Sequence, residues 1–246
     1  MTQTARTSSR LGAIVLIAFA ACGEASPSAD NAGPIGQTSR GAQCGPTLDF
    51  EHVNEYDGPF DWLQQNEEAV AFINGTCTGV YIGAAGGIDH LVITAGHCTR
   101  VGDEPLVAFN FEMDTDGPET FQLGVVIEQS DAPDYALIEL FEDPEVAPVR
   151  LTDDPTRELV VIQHPTGQPK LVATGRFAFR DAGRLFYRDL DTLVGTSGAP
   201  IFNEDGAVLG IHAGGDCEQT GTNWGWTAID IRGASEVLRR YEFDDC

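Results

Sequence analysis

The sequence predicts an all-β protein built in two comparable halves. Three observations carry this. Short apolar runs recur between residues 69 and 229, each bounded by Gly, Pro, Asn or Asp, which is the punctuation of short strands joined by turns. No stretch shows long helical periodicity before residue 234. The segment 142–156, with Pro144, Pro148 and Pro155, divides the strand series in two. Many short strands at near-regular spacing close into barrels or stack as sandwiches.

In chain order, Arg6 and Arg10 precede Leu11–Ala21, an apolar stretch too short to span a bilayer. Residues 1–21 therefore read as a signal peptide. Phe19-Ala20-Ala21-Cys22 resembles a bacterial lipobox, with Cys22 as the lipidated N-terminus; ordinary secretory cleavage after Ala20 or Ala21 is the alternative. Both place the chain outside the cytoplasm, lipid-anchored to the cell envelope or secreted. Residues 22–47 are Ser, Ala, Gly, Pro, Asn and Thr with almost no large apolar side chain, a flexible tether. Residues 48–150 form an N-terminal segment and the first β half, and residues 151–246 the second half with a C-terminal helix.

The first half holds a short helix within Asp61–Asn66, then strands at Ala69–Ile73, Cys77–Ile82, Leu91–Thr94, Leu106–Phe109, Phe121–Ile127 and Tyr135–Leu140. Asn74-Gly75 between the first two is a tight hairpin signal. Asp114-Thr115-Asp116-Gly117 hints at calcium, but the other ligands of a calcium loop are missing and a turn is expected. The second half has strands at Leu159–Ile162, Lys170–Thr174, Leu185–Tyr187, Ala207–His212 and Trp224–Ile229, and a helix at Ala234–Tyr241 with basic residues in its last turn.

Composition narrows the function. Hydrophobic residues make up 42% and charged residues 21%, values of a globular chain. The net charge is −24, from 38 acidic and 14 basic residues, and loss of residues 1–21 removes two Arg and no acid, giving −26. Such a surface repels phosphate backbones, so nucleic acid is excluded as a partner, and contact with a membrane is expected only through lipid on Cys22. A monomer is expected. Export permits disulfides. With Cys22 lipidated, Cys44, Cys77, Cys98, Cys217 and Cys246 remain, an odd number. Cys44 with Cys246 would link the chain ends.

The chemistry is concentrated in Gly195-Thr196-Ser197-Gly198-Ala199-Pro200. A glycine at 195 lets the backbone approach a substrate closely, and the N–H groups of Gly195 and Ser197 can hold a developing oxyanion. His97, in Thr94-Ala95-Gly96-His97-Cys98, follows an apolar strand and can project from its end. Asp134 immediately precedes another strand, where a half-buried carboxylate can accept the imidazole N–H and fix its tautomer. Asp131 lies farther out and reads as a solvated turn residue. The order is His, Asp, Ser, and Ala199 breaks the G-x-S-x-G elbow of the α/β-hydrolases.

The segments TAGHC, DYALIEL and GTSGAP together resemble the chymotrypsin-like serine endopeptidases, over roughly residues 66–240. The resemblance implies two six-stranded antiparallel β-barrels with the site between them. It implies His97 as general base, Asp134 as orienting acid and Ser197 as nucleophile acting on peptide or protein substrates, with no metal or organic cofactor. It also implies a disulfide between Cys77 and Cys98. Asp191-Thr192, the stretch Gly195–Asn203 and Val208–His212 are most similar to the bacterial glutamyl-endopeptidase (V8-like) branch. There the positions of Thr192 and His212 help bind a substrate Glu carboxylate. Three features depart from these patterns. A lipidated Cys22 supplies no free N-terminal amine, no IVGG-like activation sequence is present, and Leu193 stands where a trypsin has the cysteine that would pair with Cys217. Trp224 and Trp226 are expected to pack beside the specificity pocket rather than to bind sugar. A catalytically inactive, protease-like binding lipoprotein is the alternative function. The filled triad positions speak against it.

Overall fold

The computed structural model describes residues 42–113 and 118–243. The expected signal peptide, Cys22, most of the tether, the Asp114–Gly117 turn and Cys246 lie outside the described residues. A two-residue strand, β1 (Glu51–His52), precedes a short helix, α1 (Leu63–Asn66). Six strands then follow: β2 (Val70–Ile73), β3 (Cys77–Ala85), β4 (Ile88–Thr94), β5 (Leu106–Phe109), β6 (Thr120–Asp131) and β7 (Asp134–Leu140). They are antiparallel in the order β2-β3-β4-β7-β6-β5, closed into a barrel by pairing of Phe72 and Ile73 with Ala108 and Val107. Asn74 and Gly75, both in the left-handed region, make the β2–β3 turn.

The second barrel contains β8 (Glu158–Gln163), β9 (Leu171–Asp181), β10 (Arg184–Arg188), β11 (Pro200–Phe202), β12 (Val208–Gly215) and β13 (Asn223–Thr227). Its ring runs β8-β9-β10-β13-β12-β11 and closes through Ile201 opposite Val161 and Phe202 opposite Val160. The fold is thus two six-stranded antiparallel barrels. Closure leaves no unpaired barrel edge to aggregate. β1 adds to the outside of β9, with Glu51 opposite Val172, so the N-terminal segment belongs with the second barrel.

The continuous apolar run of β8 has a structural reason. Leu159 and Val161 pack inside the second barrel with Leu185, Tyr187 and Ile201. Val160 and Ile162 face the other way, into the core shared with the first barrel. A strand buried on both faces loses its polar alternation. Each such Leu, Ile or Val contributes about 1.5–3 kcal/mol of burial.

Between the barrels lies a buried ionic cluster. Lys170, just before β9, is fully buried and donates to Glu67 and, at 2.9 Å, to Glu112. Its main chain is tied on both sides, N–H to Phe111 O and carbonyl to Val53 N–H. Burial pushes the Glu67 carboxyl up to about 7 against the pull of Lys170. Glu112 is also desolvated, but Lys170 and the Asn54 amide hold it below the usual carboxylate range.

The chain end differs from the expected helix at Ala234–Tyr241. The helix, α3, spans Ala228–Ala234, where the strand at Trp224–Ile229 was expected to continue; a second short helix, α2, spans Cys217–Thr220. Thr227 caps α3 by accepting from the Asp230 N–H at 3.2 Å. The residues after it are captured by Glu128 on β6, whose carboxylate accepts from Ser235 Oγ and from the N–H groups of Glu236 and Val237. These bonds draw residues 235–237 out of helical register, and only a 3₁₀ turn at Leu238–Arg240 follows.

Candidate active site

The register of the first barrel brings two of the expected residues together. β4 ends at Thr94, paired with Ala136 of β7, and β7 begins at Asp134. The chain leaving β4 therefore passes Asp134 as it makes the short 3₁₀ turn Gly96–Cys98. Asp134 Oδ1 accepts the His97 backbone N–H at 2.9 Å and Oδ2 meets His97 Nδ1 at 2.6 Å. A proton on Nδ1 is dictated by the carboxylate, which leaves Nε2 as the acceptor. The hydrogen bond to Asp134 is the main cause that raises the His97 pKa above its ordinary value, opposed by partial burial and helped by the carboxylate charge. The carboxylate is 13% exposed and the ring 48% exposed, so the carboxylate is sheltered while the imidazole reaches solvent. Asp131 is exposed and accepts from Gln129 at 3.0 Å.

Ser197 reaches the same end of the barrel from the other half of the chain. Thr78, near the start of β3, donates its N–H to Ser197 O at 2.9 Å and its hydroxyl to Gly195 O at 2.8 Å. The same hydroxyl accepts from His164 N–H at 3.1 Å. A side chain at position 198, where φ is +85°, would put Cβ 2.1 Å from Thr78 O, so only glycine lets the turn seat against β3 and β4. Among the described residues no hydrogen bond joins Ser197 Oγ to His97. Such contacts are often long without substrate and tighten on binding.

The backbone of the expected oxyanion donors is fixed by the opposite ends of their peptide groups. Val194 O accepts from Thr166 N–H, and Thr196 O accepts from Ala199 N–H at 2.8 Å. In a trans peptide the N–H points opposite to the carbonyl, so the Gly195 and Ser197 N–H groups are aimed away from those partners. Neither donates to a protein acceptor among the described residues. Gly195 has φ +100°, and a Cβ there would lie 2.4 Å from His164 O.

Thr192 and His212 are both buried, and among the described residues no hydrogen bond joins them. Thr192 Oγ1 has no hydrogen-bond partner, while its N–H donates to Ala42 O at 3.4 Å. His212 lies on β12, pairs through its backbone with Gly198 and Ala199, and bonds Tyr187 OH through Nδ1. Burial, with the nearby charge of His97, lowers the His212 pKa to about 3, so the ring is neutral at ordinary pH. Trp224 lies over Gly214, and with Trp226 it flanks the Arg184 guanidinium at 4.8 and 5.2 Å.

The structure joins Cys77 to Cys98 and Cys44 to Cys217. The second bond corrects the suggested Cys44–Cys246 link and supplies the partner that Leu193 does not. It also fastens the last residues of the supposed tether. Asp191 accepts from the N–H groups of Cys44 and Asp49 at 2.6 and 2.7 Å, and Ala42 O accepts from Asn223 at 2.9 Å. Among the described residues no three His, Cys, Asp or Glu side chains converge as metal ligands, and no helix is long and apolar enough to cross a membrane.

Sequence reasoning missed Thr78, Gln163 and Asp191 as parts of the site. The only trace of the second was a Gln-His pair closing an apolar strand.

The trypsin-like peptidase domain family matches residues 77–211. No curated protein matches the sequence. Among solved structures, the chain is similar to the active form of the Rv3671c protease from M. tuberculosis, with a TM-score of 0.57, 19% identity, and coverage of 71% of this chain and 82% of that one. It is similar also to a serine endoprotease from Yersinia pestis, with a TM-score of 0.60, 15% identity, and coverage of 76% and 69%.

Proposed function

The chain belongs to the trypsin-like peptidase family and is a serine endopeptidase, and from that premise we propose that His97, Asp134 and Ser197 are its catalytic triad. The observation that carries this reading is the two-point grip of Asp134 on His97, through Nδ1 and the backbone N–H, beside a serine turn seated on the same strand ends. Ser197 Oγ attacks the scissile carbonyl while His97 Nε2 takes its proton. Asp134 stabilises the imidazolium. The N–H groups of Gly195 and Ser197 receive the oxyanion, each donor accounting for about 100- to 1,000-fold in rate. His97 then protonates the leaving amine, and water hydrolyses the acyl-enzyme.

The pocket reading is that Thr192 and His212 favour Glu at P1. An unpaired buried hydroxyl is costly unless a ligand completes it, and Thr192 Oγ1 is such a group. Neutral His212 offers a hydrogen bond rather than a full charge. Export, as an envelope lipoprotein through Cys22 or as a secreted chain, is supported by the leader-like residues 1–21 and by two disulfides. A peptide-library digest tests activity and specificity together. Cleavage after Glu by the purified chain, and none by Ser197→Ala, is expected. Indifference to the P1 side chain would reject the pocket reading, and equal cleavage by the variant would reject the triad.

A further inference from the structure

We infer that Gln163 is a positioning residue, holding the loop Asp191–Ser197 in its catalytic shape through the Thr196 hydroxyl. The inference rests on the triad reading above, because it concerns the loop that carries Ser197 and both oxyanion donors. Gln163 is the last residue of β8 and is fully buried. A buried primary amide must find partners at both ends. Here both partners belong to one loop. Nε2 donates to Asp191 O at 3.0 Å, and Oε1 accepts from Thr196 Oγ1. Thr196 Oγ1 in turn accepts from Leu193 N–H at 3.0 Å, and the Thr196 N–H donates to Leu193 O at 3.1 Å.

The result is a closed circuit. The amide spans the loop from its entry at Asp191 to the residue between the two oxyanion donors. Thr196 is itself fully buried, so its hydroxyl has no water to turn to if Gln163 is lost. The adjacent residues of the same strand exit complete the seat. His164 O and the N–H groups of Thr166 and Gly167 lie against Gly195, and Thr166 N–H fixes Val194 O. β8 and the turn after it therefore hold the side chain at 196 and the peptide at 194–195 at once.

Losing the circuit would let the 194–197 peptides rotate. That harms the transition state, where the N–H groups are used, more than substrate binding. Thr196→Val keeps the side-chain shape and removes only the hydroxyl, so the test does not depend on Gln163→Met folding. With a peptide substrate, Thr196→Val is expected to lower kcat roughly 10- to 100-fold with KM changed less than about 3-fold. Affinity for a peptide aldehyde, whose adduct places an oxyanion in the hole, should fall by the same factor as kcat/KM. Thr196→Ser should restore most of the rate. Gln163→Met combined with Thr196→Val should lose little beyond the larger single loss, since both break one circuit. A kcat for Thr196→Val within about twofold of the parent, or a loss that Thr196→Ser does not recover, overturns the role of Gln163. Hydrolysis surviving in Ser197→Ala is a different failure, since it removes the triad reading itself.

Discussion

At the scale of single residues, the proposed triad makes the protonation of His97 decide when the site works. Its pKa is raised, chiefly by the bond to Asp134, so the ring stays protonated, and inactive as a base, to a higher pH than an ordinary histidine. The rate should therefore climb with pH through that raised value. Asp134→Asn removes both causes of the rise. The acid limb of kcat/KM should move to lower pH, and kcat should fall by roughly 10⁴-fold as the tautomer is lost. A limb that stays where it was would show that another group titrates. Thr192 is a second single-residue test. Its unpaired hydroxyl, if it meets a substrate carboxylate, forms a bond worth about 1.5–3 kcal/mol. Thr192→Val should then cut kcat/KM about 10- to 100-fold for Glu at P1 and leave apolar P1 residues nearly unchanged. Equal losses for both would assign Thr192 to packing. As candidates, His97, Asp134 and Ser197 were legible in the sequence because each sits in a local signature at a strand end or a glycine turn. Gln163 and Asp191 were not, because their meaning comes from partners about 30 to 150 residues away.

At the scale of elements, alternating or continuous apolar runs located eleven of the thirteen strands among the described residues, since burial of a strand face leaves that trace directly. β1 and β11 escaped, being two and three residues long. The C-terminal helix was misplaced for a different reason. Residues 234–241 have helical composition, but Glu128 competes for the N–H groups of 236 and 237, and no local pattern reveals a tertiary competitor. Residues 42–47 were likewise read as tether, although Asp191, Asn223 and Cys217 fasten the strap from Ala42 to Asp49. Replacing Cys44 and Cys217 together by Ser should lower unfolding stability by about 2–5 kcal/mol in chemical denaturation, since the bond spans 173 residues. A change below about 0.5 kcal/mol would assign the strap's hold to its hydrogen bonds alone.

At the scale of the whole molecule, two barrels meet around a buried lysine and two carboxylates. Both barrels contribute, Glu112 from the first and Lys170 from the second. Sequence could show only that Glu67, Glu112 and Lys170 exist, since their burial is a property of the closed fold. Removing the cation by Lys170→Met leaves two carboxylates facing each other in the dry junction, and stability should fall by about 3–5 kcal/mol at pH 8. The sign with pH follows from Glu67. Its folded pKa is raised, to about 7, so folding retains a proton that the unfolded chain gives up, and stability falls as pH rises from the ordinary carboxylate range through about 7. The variant should thus recover much of its loss near pH 5. On the proposed triad, the two-barrel arrangement matters for function because His97 and Asp134 come from the first half of the chain and Ser197 from the second, with Ser197 O bonded to Thr78 of the first barrel. The most direct measurement of that claim is labelling of the purified chain with a fluorophosphonate probe, with the adduct mapped by peptide mass spectrometry. One adduct is expected, on Ser197, that disappears in Ser197→Ala and forms far more slowly in Asp134→Asn; an adduct on another residue, or labelling that survives Ser197→Ala, would contradict the proposed triad.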